Sequence, residues 1–239
     1  MNFKKPACLI GILTLAIVLT GCIVTPTPTP TVPTFAPEGA PTVEPLPTPT
    51  QDPVSTPTPQ MARAASGISH KQYGAPPLMT IDVDKSYTAT LITNKGNMVL
   101  KLFADEAPIT VNNFVFLARE GFYNGVTFHR VIRNFMVQTG DPTGTGMGNA
   151  GYRFADEPVT RSYNRGIVAM ANSGPNTNGS QFFIIHADYN LGPNYTIFGE
   201  LTQGIETLDA IATASVGGPD RSSPLEPIIV ESIEIRESP

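Results

Sequence analysis

The sequence predicts a mainly β domain, an antiparallel sheet or closed barrel accompanied by two helices. Eight stretches beyond residue 84 have the length and apolar pattern of strands, and two have the 3.6-residue period of a helix. Strands and helices do not alternate regularly, which argues against a doubly wound parallel sheet. We place this domain at residues 85–237, a length that can bury one core.

The first two strands are predicted as a hairpin. Residues 87–93 and 98–103 alternate between apolar and polar side chains. Between them lie Asn94 and Gly96, residue types that tolerate the positive φ of a tight turn.

A helix is predicted at residues 108–120. Val111, Phe114 and Ala118 fall on one helical face, Pro108 suits the first turn, and Gly121 can end the helix. The remaining predicted elements are strands at 126–132, 135–139, 166–171, 181–185, 195–198 and 229–235, and a second helix at 205–212.

Residues 1–21 have the layout of a secretory signal peptide. Lys4 and Lys5 precede an apolar run of about 14 residues, fewer than the roughly 20 that a membrane-spanning helix needs. The run ends in LTGC, which resembles the lipobox of bacterial lipoproteins and implies lipid on Cys22. We therefore expect an extracytoplasmic protein, lipid-anchored to a bacterial membrane. The alternative is an ordinary signal peptide with a chance cysteine.

Residues 22–84 are predicted as a linker. The stretch 25–59 is rich in Pro and Thr, holds half of the 24 prolines, and contains no Lys or Arg. Such a sequence cannot bury a core, and in polyproline II it would span up to roughly 100 Å. It is predicted to be a disordered spacer, or equally a disordered tail without a length requirement, and residues 60–84 are a transition of undefined structure.

Composition excludes several classes of function. A formal net charge of -5 without a basic stretch argues against nucleic-acid binding. Cys8 would leave with the signal and Cys22 would carry lipid, so we expect no disulfide and no cysteine metal site. No histidine stands at ligand spacing to another, so we expect no metal and no cofactor. The run 146–151 fits G-x-G-x-x-G but lacks the strand and helix of a dinucleotide site, which favours a groove loop.

Three motifs carry the functional prediction. They read FHRVIRNFMVQTGD at 128–141, MANSGPNTNGSQFFI at 170–184 and LGPNYTIFG at 191–199. Together with FADE at 154–157 they resemble the cyclophilin family of peptidyl-prolyl cis-trans isomerases over about residues 87–236. The resemblance implies an eight-stranded antiparallel barrel capped by two helices, with a packed interior and a proline pocket on its outer surface.

The resemblance also implies roles for individual residues. Arg130 matches the catalytic arginine, and Phe135, Met136 and Phe183 match the pocket for the substrate proline. The other matching residues are Gln138 beside the pocket, Ala171 and Asn172 at the edge that pairs with substrate backbone, Gln181 in the groove, and Leu191 and Tyr195 as pocket walls. Asn190 stands where many cyclophilins have tryptophan, which implies weak cyclosporin binding.

Each of these residues also has a plainer interpretation. Arg130 could be a barrel-rim residue paired to a carboxylate. Phe135 and Met136 are adjacent and would face opposite sides of a regular strand, so both reach a pocket only if the chain bends, for which Arg133-Asn134 is a plausible site. We expect His129 to be a structural histidine, hydrogen-bonded within the fold.

The resulting functional prediction is a monomeric isomerase acting on X-Pro bonds of unfolded exported proteins, assisting their folding outside the cytoplasm. The alternative is a non-catalytic module that binds proline-containing segments in the same groove as a chaperone or scaffold.

Overall fold

The computed structural model describes residues 71–239. The predicted signal peptide, Cys22 and the Pro/Thr-rich stretch lie outside the described residues. Among the residues that are described, no helix has the length and apolar character needed to cross a membrane.

The described chain contains eleven strands and two helices. In chain order they are β1 (Ser86–Thr93), β2 (Gly96–Leu102), α1 (Pro108–Arg119), β3 (Val126–Thr127), β4 (Arg130–Ile132), β5 (Met136–Thr139), β6 (Ile167–Met170), β7 (Phe182–Ile185), β8 (Ile197–Gln203), α2 (Ile205–Ala212), β9 (Val216–Gly217), β10 (Ser223–Pro224) and β11 (Ile229–Ser238).

Nine strands form one curled antiparallel sheet in the order β3-β11-β1-β2-β8-β6-β7-β5-β4. The two edge strands, β3 and β4, are separated in the chain by only Phe128 and His129, so the sheet curls until its edges meet. The hydroxyl of Thr139 in β5 donates to the carbonyl of Thr127 in β3 at 3.0 Å. The predicted mainly β fold with two helices is confirmed.

The sheet differs from the prediction in its strand boundaries. Residues 126–132 were expected as one strand, but β3 pairs with β11 and β4 pairs with β5, so the chain divides where it changes partner. Strand β8 runs to Gln203 rather than 198, because Glu200 and Leu201 pair with β2. The ribbon of β9 and β10 was not predicted.

Strand β7 separates two apolar clusters. Phe182 and Ile184 pack in the barrel core with Phe114 of α1, whose ring centroid lies 5.4 Å from that of Phe182. Phe183 and Ile185 face the other side and join a second cluster outside the barrel. Successive side chains of a strand point to opposite faces, so the unbroken apolar run FFII is buried on both.

A distant carboxylate caps helix α1. Ala107, the residue before the helix, offers no side-chain cap. The carboxylate of Glu157, itself largely buried, accepts from the backbone N–H groups of Ile109 at 2.9 Å and Thr110 at 2.8 Å. It satisfies two of the free donors at the helix start and complements the helix dipole.

Residues 71–84 contain no helix or strand, but they pack on the domain. The backbone N–H of Tyr73 donates to the carbonyl of Ala150 at 2.8 Å, and its ring lies 5.1 Å from that of Phe116. Asn112 of α1 accepts from the backbone N–H of Thr80 at 2.8 Å.

Candidate functional site

A cavity of about 320 Å³ opens on the outer surface of the sheet, over the second apolar cluster. Strands β4, β5 and β7 form its floor, and the loops after β6, β7 and β9 form its walls. All of the predicted site residues except Gln181 line it: Arg130, Phe135, Met136, Gln138, Ala171, Asn172, Phe183, Leu191 and Tyr195. Gln181 lines an adjoining cavity that shares Gln138, Ala171 and Asn172.

Strand register explains how distant sequence motifs meet here. Arg130 of β4 is paired with Gln138 of β5, and Gln138 is paired with Phe183 of β7. Directly opposed residues of antiparallel strands share one face of the sheet. An arginine, a glutamine and a phenylalanine therefore lie side by side across three strands.

Arg130 is half-buried, and its guanidinium has no ion-pair partner within the described part of the chain. Its nearest polar contact is from Nη1 to Oε1 of Gln138, at 3.5 Å. Asp220 lies on the same cavity wall, and its pKa is lowered mainly by the hydroxyl of Ser222 and only in small part by Arg130. The alternative of a rim arginine paired to a carboxylate is therefore wrong.

Two glutamines link the arginine to the glycine-rich loop. Gln138 donates through Nε2 to Oε1 of Gln181 at 2.9 Å. Gln181 in turn donates to the carbonyls of Gly146 at 3.0 Å and Gly148 at 2.8 Å. Because carbonyls can only accept, Nε2 of Gln181 must face these two glycines, and its Oε1 then faces Gln138. Gln138 must donate to that oxygen through Nε2, which leaves its own Oε1 directed toward Arg130.

The glycine-rich loop is organised by Asp141, which the sequence motifs did not single out. This buried carboxylate accepts from the backbone N–H groups of Thr143 at 2.7 Å, Gly146 at 2.6 Å and Gly148 at 3.1 Å. Burial raises the pKa of Asp141, but these hydrogen bonds outweigh it, so the pKa is below the usual aspartate value. A Cβ on Gly148 would clash with Oδ1 of Asp141, so glycine is required there.

The apolar half of the cavity depends on a bend before β5. Asn134 has a φ of 61°, a left-handed conformation that asparagine tolerates better than most residues. The bend brings both Phe135 and Met136 to the cavity, as their predicted roles require. Tyr189, not predicted, packs its ring 4.3 Å from that of Phe135, and Tyr195 meets Phe183 edge-on at 5.6 Å.

Comparison with known proteins decides the family. The model of the family described as "Cyclophilin type peptidyl-prolyl cis-trans isomerase/CLD" matches residues 88–235. The chain belongs to the cyclophilin family. As a cyclophilin it is a peptidyl-prolyl cis-trans isomerase.

Known relatives match about two thirds of the chain. A Staphylococcus epidermidis protein named as a peptidyl-prolyl cis-trans isomerase is 42% identical over 187 residues, covering 64% of this chain and 94% of that protein. Peptidyl-prolyl cis-trans isomerase A of Mycobacterium leprae is 44% identical over 177 residues, covering 66% and 96%. The crystal structure of a Cryptosporidium parvum cyclophilin superposes with a TM-score of 0.61 at 38% identity, covering 64% of this chain and 99% of that one.

This cyclophilin presents free backbone groups at the edge of its cavity. The side chain of Asn172 is occupied, donating to the carbonyl of Asn194 at 2.7 Å and accepting from the backbone N–H of Gly174 at 3.2 Å. The backbone N–H and C=O of Asn172 make no hydrogen bond with the described residues. They are available to pair with an extended peptide.

The surroundings of His129 differ from those predicted. It lines the cavity beside Arg130, yet neither ring nitrogen has a hydrogen-bond partner among the residues described, so the expected hydrogen-bonded structural histidine is wrong. Burial lowers the pKa of His129 below the usual histidine value. The ring is therefore neutral near pH 7 and adds no positive charge next to the guanidinium.

Within residues 71–239, no group of three or more His, Cys, Asp or Glu side chains is arranged to hold a metal ion. The cavity instead combines one fixed positive charge, two ordered amides and an apolar pocket.

Proposed function

We propose that this cyclophilin isomerises X-Pro bonds of exported, incompletely folded proteins outside the cytoplasm, with Arg130 as its catalytic residue. The observation that carries the proposal is an arginine without a carboxylate partner among the described residues, in one cavity with the apolar side chains of Phe135, Met136 and Phe183. A related Cryptosporidium parvum cyclophilin was crystallised in the presence of the dipeptide Ala-Pro, which supports proline-containing segments as the ligand.

The chemistry required is the twisting of an amide. Rotation about a peptide bond crosses a barrier of about 18–20 kcal/mol, because the nitrogen lone pair is delocalised into the carbonyl. In the twisted state the lone pair is localised on nitrogen. A guanidinium directed at that nitrogen interacts more strongly with the twisted state than with the planar one, and this difference lowers the barrier.

Arg130 cannot supply the whole effect. Uncatalysed isomerisation takes tens to hundreds of seconds, so turnover in milliseconds requires about 6 kcal/mol of transition-state stabilisation. One hydrogen bond to a charged group contributes about 1.5–3 kcal/mol. We assign the remainder to exclusion of water and to positioning. Phe135, Met136 and Phe183 hold the proline ring, Asn172 pairs with the peptide backbone, and Gln138 orients the guanidinium.

An isomerase assay on an X-Pro peptide tests the catalytic role. We expect Arg130→Ala to lower kcat/KM by about 10²-fold or more, because removal of one preorganised donor at a reacting centre has that effect. Arg130→Lys is the matched control: it keeps the charge but not the planar fork, and should recover only part of the loss. A folded Arg130→Ala protein with the wild-type rate would refute the assignment of Arg130 as the catalytic residue. If that variant still binds the peptide at wild-type affinity, the lost rate is catalytic.

We further propose that lipid on Cys22 anchors the protein and that the stretch after it, up to residue 70, holds the domain away from the membrane; residues 71–84 pack on the domain and belong to it. The support is the apolar run ending in LTGC and the Pro/Thr-rich stretch after it. Metabolic labelling with a radioactive fatty acid, compared between wild type and Cys22→Ser, tests the anchor. Equal labelling of the two proteins, or none of either, would refute it. The domain should be monomeric, which light scattering after gel filtration can check.

A further inference from the structure

His186 lies outside the cavity, directly behind the bend that delivers Phe135 to the pocket. It follows β7, is almost fully buried, and is assigned no part in the chemistry above. Its backbone N–H donates to the carbonyl of Phe135 at 2.8 Å, and its Nδ1 lies 2.9 Å from the backbone nitrogen of Asn134. One residue thus binds the N–H of Asn134 and the carbonyl of Phe135, the two ends of this dipeptide.

These contacts fix the state of the imidazole ring. A backbone N–H can only donate, so Nδ1 must accept and carries no proton. The proton is therefore on Nε2, which lies 3.1 Å from Oδ1 of Asp209 in α2 and donates to it. Arg165 binds the same carboxylate oxygen at 2.6 Å and the carbonyl of His186 at 2.7 Å. The ring is held from two sides in one tautomer.

The Asn134 N–H needs this acceptor because the hairpin provides none. Within the turn, the N–H of Phe135 donates to the carbonyl of Ile132 at 3.1 Å, while the N–H of Asn134 is bonded to His186 alone. Within this turn, Asn134 is also the residue with a left-handed φ. The bond to Nδ1 therefore stabilises the one strained point that turns Phe135 toward the cavity.

We propose that His186 is a positioning residue of the proline pocket, whose ring accepts from the N–H of Asn134 and so sets the place of the Phe135 side chain. This inference rests on the proposed role of Phe135 as a pocket residue.

Two isosteric substitutions separate the two ring nitrogens. In His186→Asn the side-chain oxygen can take the place of Nδ1 and accept from Asn134, but nothing reaches Asp209. In His186→Gln the amide takes the place of Nε2 and reaches Asp209, but Asn134 loses its acceptor. If Nδ1 is the important atom, only the asparagine variant retains affinity.

The measurement is KM and kcat of the full chain on an X-Pro peptide at pH 7.5. We expect His186→Gln to raise KM by about threefold or more with kcat changed less than twofold, because Phe135 contacts ground state and transition state alike. KM of His186→Asn should stay within about twofold of wild type.

The amide signal of Asn134 gives an independent readout. In ¹H–¹⁵N spectra its shift should stay close to the wild-type position in His186→Asn and move in His186→Gln, because only the asparagine variant keeps an acceptor for this N–H. A wild-type KM for His186→Gln, a raised KM for His186→Asn, or an Asn134 signal that moves equally in the two variants would each overturn the proposal. If His186→Gln does not fold, KM and the Asn134 signal of His186→Asn still decide.

Phe135→Ala distinguishes failure of this inference from failure of the pocket assignment. A raised KM in Phe135→Ala with an unchanged KM in His186→Gln would refute only the role of His186. An unchanged KM in Phe135→Ala would show that the pocket itself was misassigned.

Discussion

Hydrogen bonds link Arg130 to Gln138 and Gln138 to Gln181. We therefore predict that a substitution of Gln181 affects Arg130 through Gln138. Replacing Gln181 with Ala removes the acceptor for Nε2 of Gln138 and the donor to the carbonyls of Gly146 and Gly148. The amide of Gln138 then rotates freely, and its Oε1 no longer faces the guanidinium. We expect kcat/KM on an X-Pro peptide to fall although Gln181 does not contact Arg130.

The magnitude follows from the hydrogen bonds that this substitution removes. Three neutral hydrogen bonds contribute about 0.5–1.5 kcal/mol each, and water entering the open groove replaces part of them, so the cost in stability should be about 1–2 kcal/mol. Loss of one preferred orientation of the Gln138 amide costs about 1–2 kcal/mol of side-chain ordering, which corresponds to a roughly five- to thirtyfold fall in kcat/KM.

A double-mutant cycle tests the order of the chain. If Gln181 acts through Gln138, then Gln138→Ala combined with Gln181→Ala should be no slower than Gln138→Ala alone. Stability of each variant is measured by thermal unfolding, and rates are compared below the lowest transition. Additive losses would mean that Gln181 acts independently of Gln138, and the proposed relay would be refuted.

Three further predictions concern stability and inhibition. Glu157→Gln should destabilise the domain by about 1–2 kcal/mol in denaturant unfolding, because the helix α1 loses a charged cap, whereas the exposed Glu231→Gln should change little. Burial lowers the pKa of His129, so below the ordinary histidine pKa of about 6.5 the unfolded state binds more protons than the folded state. The free energy of unfolding should therefore fall more between pH 7 and pH 5 in wild type than in His129→Gln. Equal losses in the two proteins would contradict this. Cyclosporin should inhibit weakly, because Asn190 stands in place of tryptophan, and tight inhibition in a titration of the isomerase rate would contradict this expectation.

The parts of the fold that sequence predicted are those determined locally. The amphipathic face of α1 and the Asn94-Lys95-Gly96 turn after β1 both depend on neighbours a few residues away. The division of 126–132 into two strands depends on partners in β11 and β5, which no local pattern within that stretch reveals. Motif resemblance identified the residues that line the cavity and the two glutamines that orient Arg130, but other supporting residues were missed.

Those missed residues have a common physical character. Glu157 caps a helix that begins 49 residues earlier at Pro108, and Tyr189 packs on Phe135 across a gap of more than fifty residues. Asp141 and His186 bond mainly to backbone groups, which every residue carries, so no side-chain pattern points to them. Only the three-dimensional structure shows which backbone donors lack a partner within their own turn or helix.

The side chains of β7 alternate between the barrel core and the cluster beneath the cavity. Phe182 and Phe183 are adjacent, yet one packs in the barrel and the other in the outer cluster that underlies the cavity. Phe183 is almost fully buried, so its ring supports the sheet from outside while one edge borders the pocket. Phe135 is only half-buried and depends on the bend at Asn134. The pocket therefore has one wall held by the sheet and one held by a turn, so we expect substitutions in the turn to change the affinity for proline-containing segments without disturbing the core.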